Sequence, residues 1–299
     1  NLTEAVVRHD DTRETLLRKV RIAAILGTIQ STFTKFPYLR KVWQRNTEEE
    51  RLLGVSLTGI YDNPLLTTQG EQLNELLGEL REAARVANKE FAQLLGIPPS
   101  AAITCVKPSG TVSQLVDSAS GIHPRHSAFY IRRVRGDKKD PLTQFLINQG
   151  IPNEPCVYKP DQTVVFSFPQ KAPAGITRED VTPISHLELW LTYQRNWCEH
   201  KPSITVSVKE DEWMEVGAWV YKHFDEVSGI SFLPYSEHTY VQAPYQEIDE
   251  KAYNELLGKM PKSINWDALS LYELEDSTTG TQALACVSGE CEIVDIGQN

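Results

Sequence analysis

The stretch LGVSLTGI (residues 53–60), the run TTQGEQLNELLGELREAARVANKEFAQLLG (67–96) and the following AAITCV (101–106) decide the fold. The first and last are short runs of β-branched and apolar residues bounded by turn formers, the pattern of buried strands. Between them Leu73, Leu76, Leu77, Leu80, Ala84, Ala87, Phe91 and Leu94 recur at helical spacing. Thr68 and Glu71 stand at capping-box separation before that run, and Gly96 followed by Pro98 supplies the stop. Strand, helix and strand in this order predict a right-handed crossover between parallel strands.

Working outward, the alternation continues. Asp11 and Glu14 repeat the capping-box spacing and predict a helix over 12–30, while Asp140-Pro141 and Thr182-Pro183 each set a capping side chain before a proline suited to a first helical turn. Those two helices are predicted to reach 149 and 197, with two more over 210–225 and 249–259. Further strands are predicted over 163–168, 203–208 and 229–233. The sum is an α/β fold, a mostly parallel sheet covered by helices, either open or closed into a barrel. Ligands in such folds gather at the carboxyl ends of the strands, so the loops after Val106, Phe168, Val208 and Leu233 are where chemistry is expected.

The 299 residues, 40% hydrophobic and 23% charged, suffice for one large or two small domains with a real core, which excludes a disordered or fibrous chain. The net charge of −10 opposes general attraction to nucleic-acid phosphates. There is no apolar run long enough to span a bilayer and no signal-peptide pattern at the start, so neither a nucleic acid nor a membrane is an expected partner and a cytoplasmic location is expected. The chain begins with Asn1 rather than Met, which suggests a processed product or a piece of something longer. After about residue 265 the periodicity fades into an acidic stretch without lysine or arginine beyond 270, expected to be a mobile tail.

Three segments can carry chemistry. After the strand AAITCV comes Lys107, then Pro108, Ser109, Gly110, Thr111, Val112 and Ser113. A glycine admits close approach of a ligand to the backbone, and hydroxyls beside the unpaired N–H groups of a helix start suit a phosphate. The spacing is not that of a Walker loop, and a plain strand-to-helix turn is the blander reading. Next, GIHPRHSAFYIRRVRGDKK gathers His123, Arg125, His126, Arg132, Arg133, Arg135, Lys138 and Lys139; no carboxylate or thiolate completes a zinc set, and most of the arginines read as a solvated basic edge. Last, Cys286 and Cys291 enclose VSGE near the end of the chain. That spacing suits a redox pair working by thiol–disulfide exchange, with half a zinc site as the rival, whereas Cys105, Cys156 and Cys198 suit buried reduced thiols.

Four segments in order, RLLGVSLTGIYDNP, CVKPSGTVSQLVDSASGIHPRHSAFYIRRVRGDKKDP, GISFLPYSEHTYVQAPYQEI and the terminal CVSGEC, resemble the C-terminal part of an adenosylcobalamin-dependent (class II) ribonucleotide reductase, ribonucleoside-triphosphate reductase type. The resemblance implies that residues 1–265 form the second half of a ten-stranded α/β barrel and that 266–299 form a flexible acidic tail bearing the redox cysteines. It also implies a thiyl-radical reduction of ribonucleotides to deoxyribonucleotides. Pro108, Ser109, Gly110, Thr111, Val112 and Ser113 would be the substrate-phosphate loop, and Cys286 and Cys291 the shuttle dithiol reduced by thioredoxin or a similar dithiol. The family's radical cysteine, its catalytic glutamate, its active-site redox cysteines and most cobalamin contacts match nothing in this chain, so an N-terminal half is an implied partner. The competing reading is a non-catalytic nucleotide-binding or regulatory half-barrel.

Overall fold

The structure is a computed structural model that describes all residues except 174–175, 236–240, 274–284, 288–289 and 293–299. In chain order the elements are β1 (Leu2–Val6), α1 (Arg13–Gln30), α2 (Lys41–Glu50), β2 (Gly54–Thr58), α3 (Glu71–Leu95), β3 (Thr104–Cys105), α4 (Val112–Leu115), β4 (Phe129–Asp137), α5 (Pro141–Asn148), β5 (Asn153–Pro155), β6 (Thr163–Lys171), α6 (Pro183–Asn196), β7 (Ile204–Val208), α7 (Trp213–Lys222), β8 (Ile230–Pro234), β9 (Tyr245–Glu247), α8 (Glu250–Lys259), β10 (Ala285–Val287) and β11 (Glu290–Glu292). The chain divides into two compact units, Asn1–Arg125 with Pro173–Tyr235, and His126–Ala172 with Ser236–Asn299.

The first unit holds five parallel strands. β1, β2 and β3 pair in that order, β7 pairs with β8, and a parallel bridge between Val106 and Pro202 joins the two sets. The short β3 leaves a gap in the ladder that two indoles fill: Trp197 Nε1 donates to Cys105 O at 2.8 Å and Trp190 Nε1 donates to Pro202 O at 2.8 Å, both rings fully buried. Helix α3 lays Leu73, Leu77, Leu80, Ala84 and Ala87 into the core and ends on Gly96 at φ +66°, as its periodicity and glycine predict. Each of those leucines contributes roughly 2 kcal/mol by leaving water.

The starts of two helices differ from expectation. Thr12, not Asp11, caps α1 in a reciprocal box with Thr15, because the Asp11 carboxylate is taken by Arg8 N at 2.7 Å and Lys19 Nζ at 2.5 Å. Gly70 rather than Thr68 precedes α3, with no side-chain cap. The caps predicted for α5 and α6 are present, Asp140 accepting from Leu142 N and Thr182 from Ser185 N.

In the second unit the strand expected over 163–168 is β6, and it runs antiparallel to β4 in a four-stranded sheet of order β5-β6-β4-β9. Strand β4 carries the arginines expected to form a solvated edge. Instead Arg132 donates to Pro244 O, Arg133 to Ala243 O and Gln246 Oε1, and Arg135 to Gln242 O, with Arg132 also lying 4.5 Å from the Tyr245 ring centre. Half-buried guanidiniums that saturate backbone carbonyls satisfy the polar groups of a strand edge while their stems pack. Ile151, Val164 and Phe166 form the core of this unit, and the segment after α8 continues to pack as far as Tyr272, whose ring meets Phe145 at 5.6 Å. Most of the tail expected over 266–299 lies outside the described residues.

Candidate phosphate loop and its supports

The loop that follows β3 lies in the first unit, at the carboxyl end of the parallel strands. Ser109 occupies the left-handed region at φ +53°, turning the chain so that Ser113 N can donate back to Ser109 O at 3.1 Å. From there α4 makes a single turn, Leu115 N donating to Thr111 O and Val116 N to Val112 O. The N–H groups of Gly110, Thr111 and Val112 meet no acceptor among the described residues, and all three residues are exposed. Ser113 is buried; its hydroxyl is shared with that of Ser120 at 2.7 Å, so it braces the loop from behind. Ser109 Oγ donates to Glu4 Oε2 at 2.8 Å, tying the front of the loop to β1. The structure thus brings Pro108, Ser109, Gly110, Thr111, Val112 and Ser113 together as one turn in which three exposed residues have N–H groups that meet no acceptor among the described residues, an arrangement suited to an anion.

The segment that returns from the loop, 117–125, is fastened to strand ends. Thr58 Oγ1, at the end of β2, accepts from Gly121 N at 3.0 Å and donates to Ala119 O at 3.2 Å. Asp62 accepts Ala119 N at 2.8 Å and is gripped in a two-pronged pair by Arg125, Nε to Oδ1 at 3.0 Å and Nη2 to Oδ2 at 3.1 Å. Both side chains are almost wholly buried, at 4% and 6% exposure. Gly121, at φ +54°, is required: a Cβ there would lie 2.3 Å from Lys107 O. Gly110, the glycine that the sequence singles out, has open space around it and no left-handed φ. Asp62, Arg125 and Gly121 are what sequence reasoning missed; the one signal available was an arginine inside GIHPRH with a carboxylate in the preceding strand-end segment IYDNP.

His123 is no metal ligand. Its Nδ1 meets Ser120 O at 2.9 Å and its Nε2 accepts from Thr205 N at 2.9 Å, which fixes the neutral tautomer and links the segment to β7. Burial lowers its pKa. His186, whose Nε2 meets Ile122 O at 2.8 Å, is pushed down to about 3, by burial first and by His123 second. Cys105, Cys156 and Cys198 are free and buried. Burial pushes Cys105 up to about 11 and Cys198 upward too, so both stay protonated thiols. At Cys156 burial works in the same sense, but N–H groups of Tyr158 and Lys159 and the Arg135 guanidinium outweigh it and lower the thiol. Strands β10 and β11 pair antiparallel with Cys286 opposite Cys291.

The fold is similar to that of a solved B12-dependent (class II) ribonucleotide reductase, with a TM-score of 0.73 over 86% of this chain and 39% of that one at 22% sequence identity. Proteins named adenosylcobalamin-dependent ribonucleoside-triphosphate reductase are homologues over most of the chain: one from Euglena gracilis is 30% identical over 83% of it, and a probable one from Dictyostelium discoideum 31% identical over 98%. The chain spans little more than a third of their length, 35% and 38% respectively. No family model matches. Among the described residues no helix is long and apolar enough to cross a membrane.

Proposed function

We infer that the chain is the C-terminal portion of a ribonucleotide reductase, converting ribonucleotides, triphosphates by the names of its relatives, to deoxyribonucleotides. The observation that carries this reading is the turn after β3, whose three exposed residues have N–H groups that meet no acceptor among the described residues and which sits at the end of a parallel β-layer of the reductase fold. Pro108, Ser109, Gly110, Thr111, Val112 and Ser113 bind the substrate phosphates through those donors. Cys286 and Cys291 shuttle the two electrons: the dithiol becomes a disulfide as it reduces the active-site disulfide that forms when the 2′-hydroxyl leaves as water and hydrogen takes its place. Residues directly opposite in an antiparallel pair have Cα atoms about 4.5–5.5 Å apart, within the span of a disulfide, which supports the pairing of these two positions. Thioredoxin or a similar dithiol then regenerates the pair.

Adenosylcobalamin, named in the relatives, would supply the radical. Among the described residues no group of three or more His, Cys, Asp or Glu side chains is placed to hold a metal ion, and His123 and His186 are committed to internal hydrogen bonds. In this reading most contacts to the cofactor, and the radical chemistry it starts, belong to the N-terminal half outside this chain. The three buried, unbridged thiols support a reducing, cytoplasmic setting. Combining the chain with that half, adenosylcobalamin, a ribonucleoside triphosphate and thioredoxin tests the assignment: deoxynucleotide should form. Cys286→Ser should abolish turnover with thioredoxin but spare it with a small dithiol; equal loss with both reductants refutes the shuttle.

A further inference from the structure

We propose that the buried Asp62–Arg125 pair is the positioning device of the phosphate loop, holding the Gly110, Thr111 and Val112 donors ready for a polyphosphate. The inference rests on reading 108–113 as the phosphate loop and adds residues that touch no ligand themselves.

Three observations meet here. First, the pair is wired to the returning strap rather than to the sheet alone. Arg125 holds Asp62 with Nε and Nη2, the Asp117 carboxylate with Nη1 at 2.7 Å and the Asp117 carbonyl with Nη2 at 3.1 Å. Second, Asp117 lies in the left-handed region at φ +48°, which aspartate tolerates better than most residues and which here turns its carbonyl toward Arg125. Arg8, just beyond β1, adds a second cation on the same carbonyl at 2.7 Å. Third, the exposed turn has little support of its own. Its backing is the strap: Ser118 N donates to Ser113 O at 2.9 Å, and Ser120 Oγ bonds both Ser113 Oγ and Ser109 O. Through Asp62 and Arg125 the strap is thereby registered against β2, and through Arg8 against the end of β1.

Stability alone gives little reason for two buried charges here, because a well-packed apolar pair of similar volume is often as stable. A guanidinium fork, in contrast, fixes two carboxylates and a carbonyl in one plane, which is what positioning demands and what an ammonium or an apolar side chain cannot reproduce.

The test uses the full chain and inorganic tripolyphosphate, with affinity read by calorimetry and the loop by amide resonances of Gly110, Thr111 and Val112. If the latch keeps nearly all molecules binding-competent and its loss leaves about a tenth so, apparent Kd rises about tenfold. Arg125→Lys and Asp62→Asn should show that rise at temperatures where near-UV circular dichroism reports full folding. Millimolar guanidinium should restore affinity to Arg125→Ala. The apolar replacement Asp62→Leu with Arg125→Met covers the case in which single variants unfold: it should melt near the wild type yet still bind about tenfold more weakly. Wild-type binding that every folded variant retains overturns the latch while leaving the phosphate loop intact. Absence of any tripolyphosphate effect on the wild-type 110–112 amides overturns the phosphate loop, and the latch with it.

Discussion

Replacing Gly121 with alanine isolates what the loop geometry is worth. An L-residue at φ +54° costs about 1–2 kcal/mol relative to glycine. The new Cβ would also stand 2.3 Å from Lys107 O, a backbone atom that cannot swing aside as a side chain could, and relieving such overpacking costs about 1–3 kcal/mol more. The total, about 2–5 kcal/mol, should appear as a lower urea midpoint with unchanged slope, followed by tryptophan fluorescence. The bonds from Gly121 N to Thr58 Oγ1 and from Ile60 N to Gly121 O go with it, so the displacement should reach the loop through Lys107 and Pro108. Gly110→Ala is the matched control: with open space and no left-handed φ it should change stability by less than about 0.5 kcal/mol. Equal midpoints for the two variants, or a larger loss at Gly110, would refute the assignment of the structural glycine to position 121.

Acid should weaken the first unit through its histidines. The folded pKa of His186 is about 3 and that of His123 is also lowered, so below about pH 6.5 the unfolded chain takes up protons that the native one refuses, and stability falls as pH falls. His186 should contribute a slope that approaches about 1.4 kcal/mol per pH unit, and His186→Phe should remove that contribution in urea titrations between pH 6 and 4. A slope that the variant leaves unchanged counts against the buried neutral ring. Trp197→Phe removes the donor to Cys105 O and leaves a void between β3 and β7, and should cost about 2–4 kcal/mol in thermal unfolding; a loss below about 1 kcal/mol would mean the gap in the ladder closes without the indole.

The helices were legible wherever a periodic apolar face coincided with a cap or stop, as in α3, α5, α6 and α8, because burial and end satisfaction then agree. The strands of the first unit were legible as apolar runs, but β1 was not, its Thr3 and Glu4 giving no run to read. Strand β4 was hidden by its arginines: a local count of charge reports solvation, and nothing within 129–137 reveals that carbonyls of 242–244 will receive them. The loop itself was visible as a glycine among hydroxyls after a strand. Its supports were not, since Asp62 and Arg125 are brought together by the return of the chain across β2, a long-range event with no local pattern.

The backbone passes between the two units three times, after Arg125, Ala172 and Tyr235. No cut from either end can liberate the first unit whole, since a fragment ending at Arg125 would leave β3 without the tryptophans that seal it and without β7 beyond them. During synthesis the same order imposes a wait: Ile204 follows Cys105 by about a hundred codons, on the order of 5–20 s at ordinary ribosome speed. For that interval the nascent chain presents a raw β-edge to its surroundings, and it is there that a chaperone would find it.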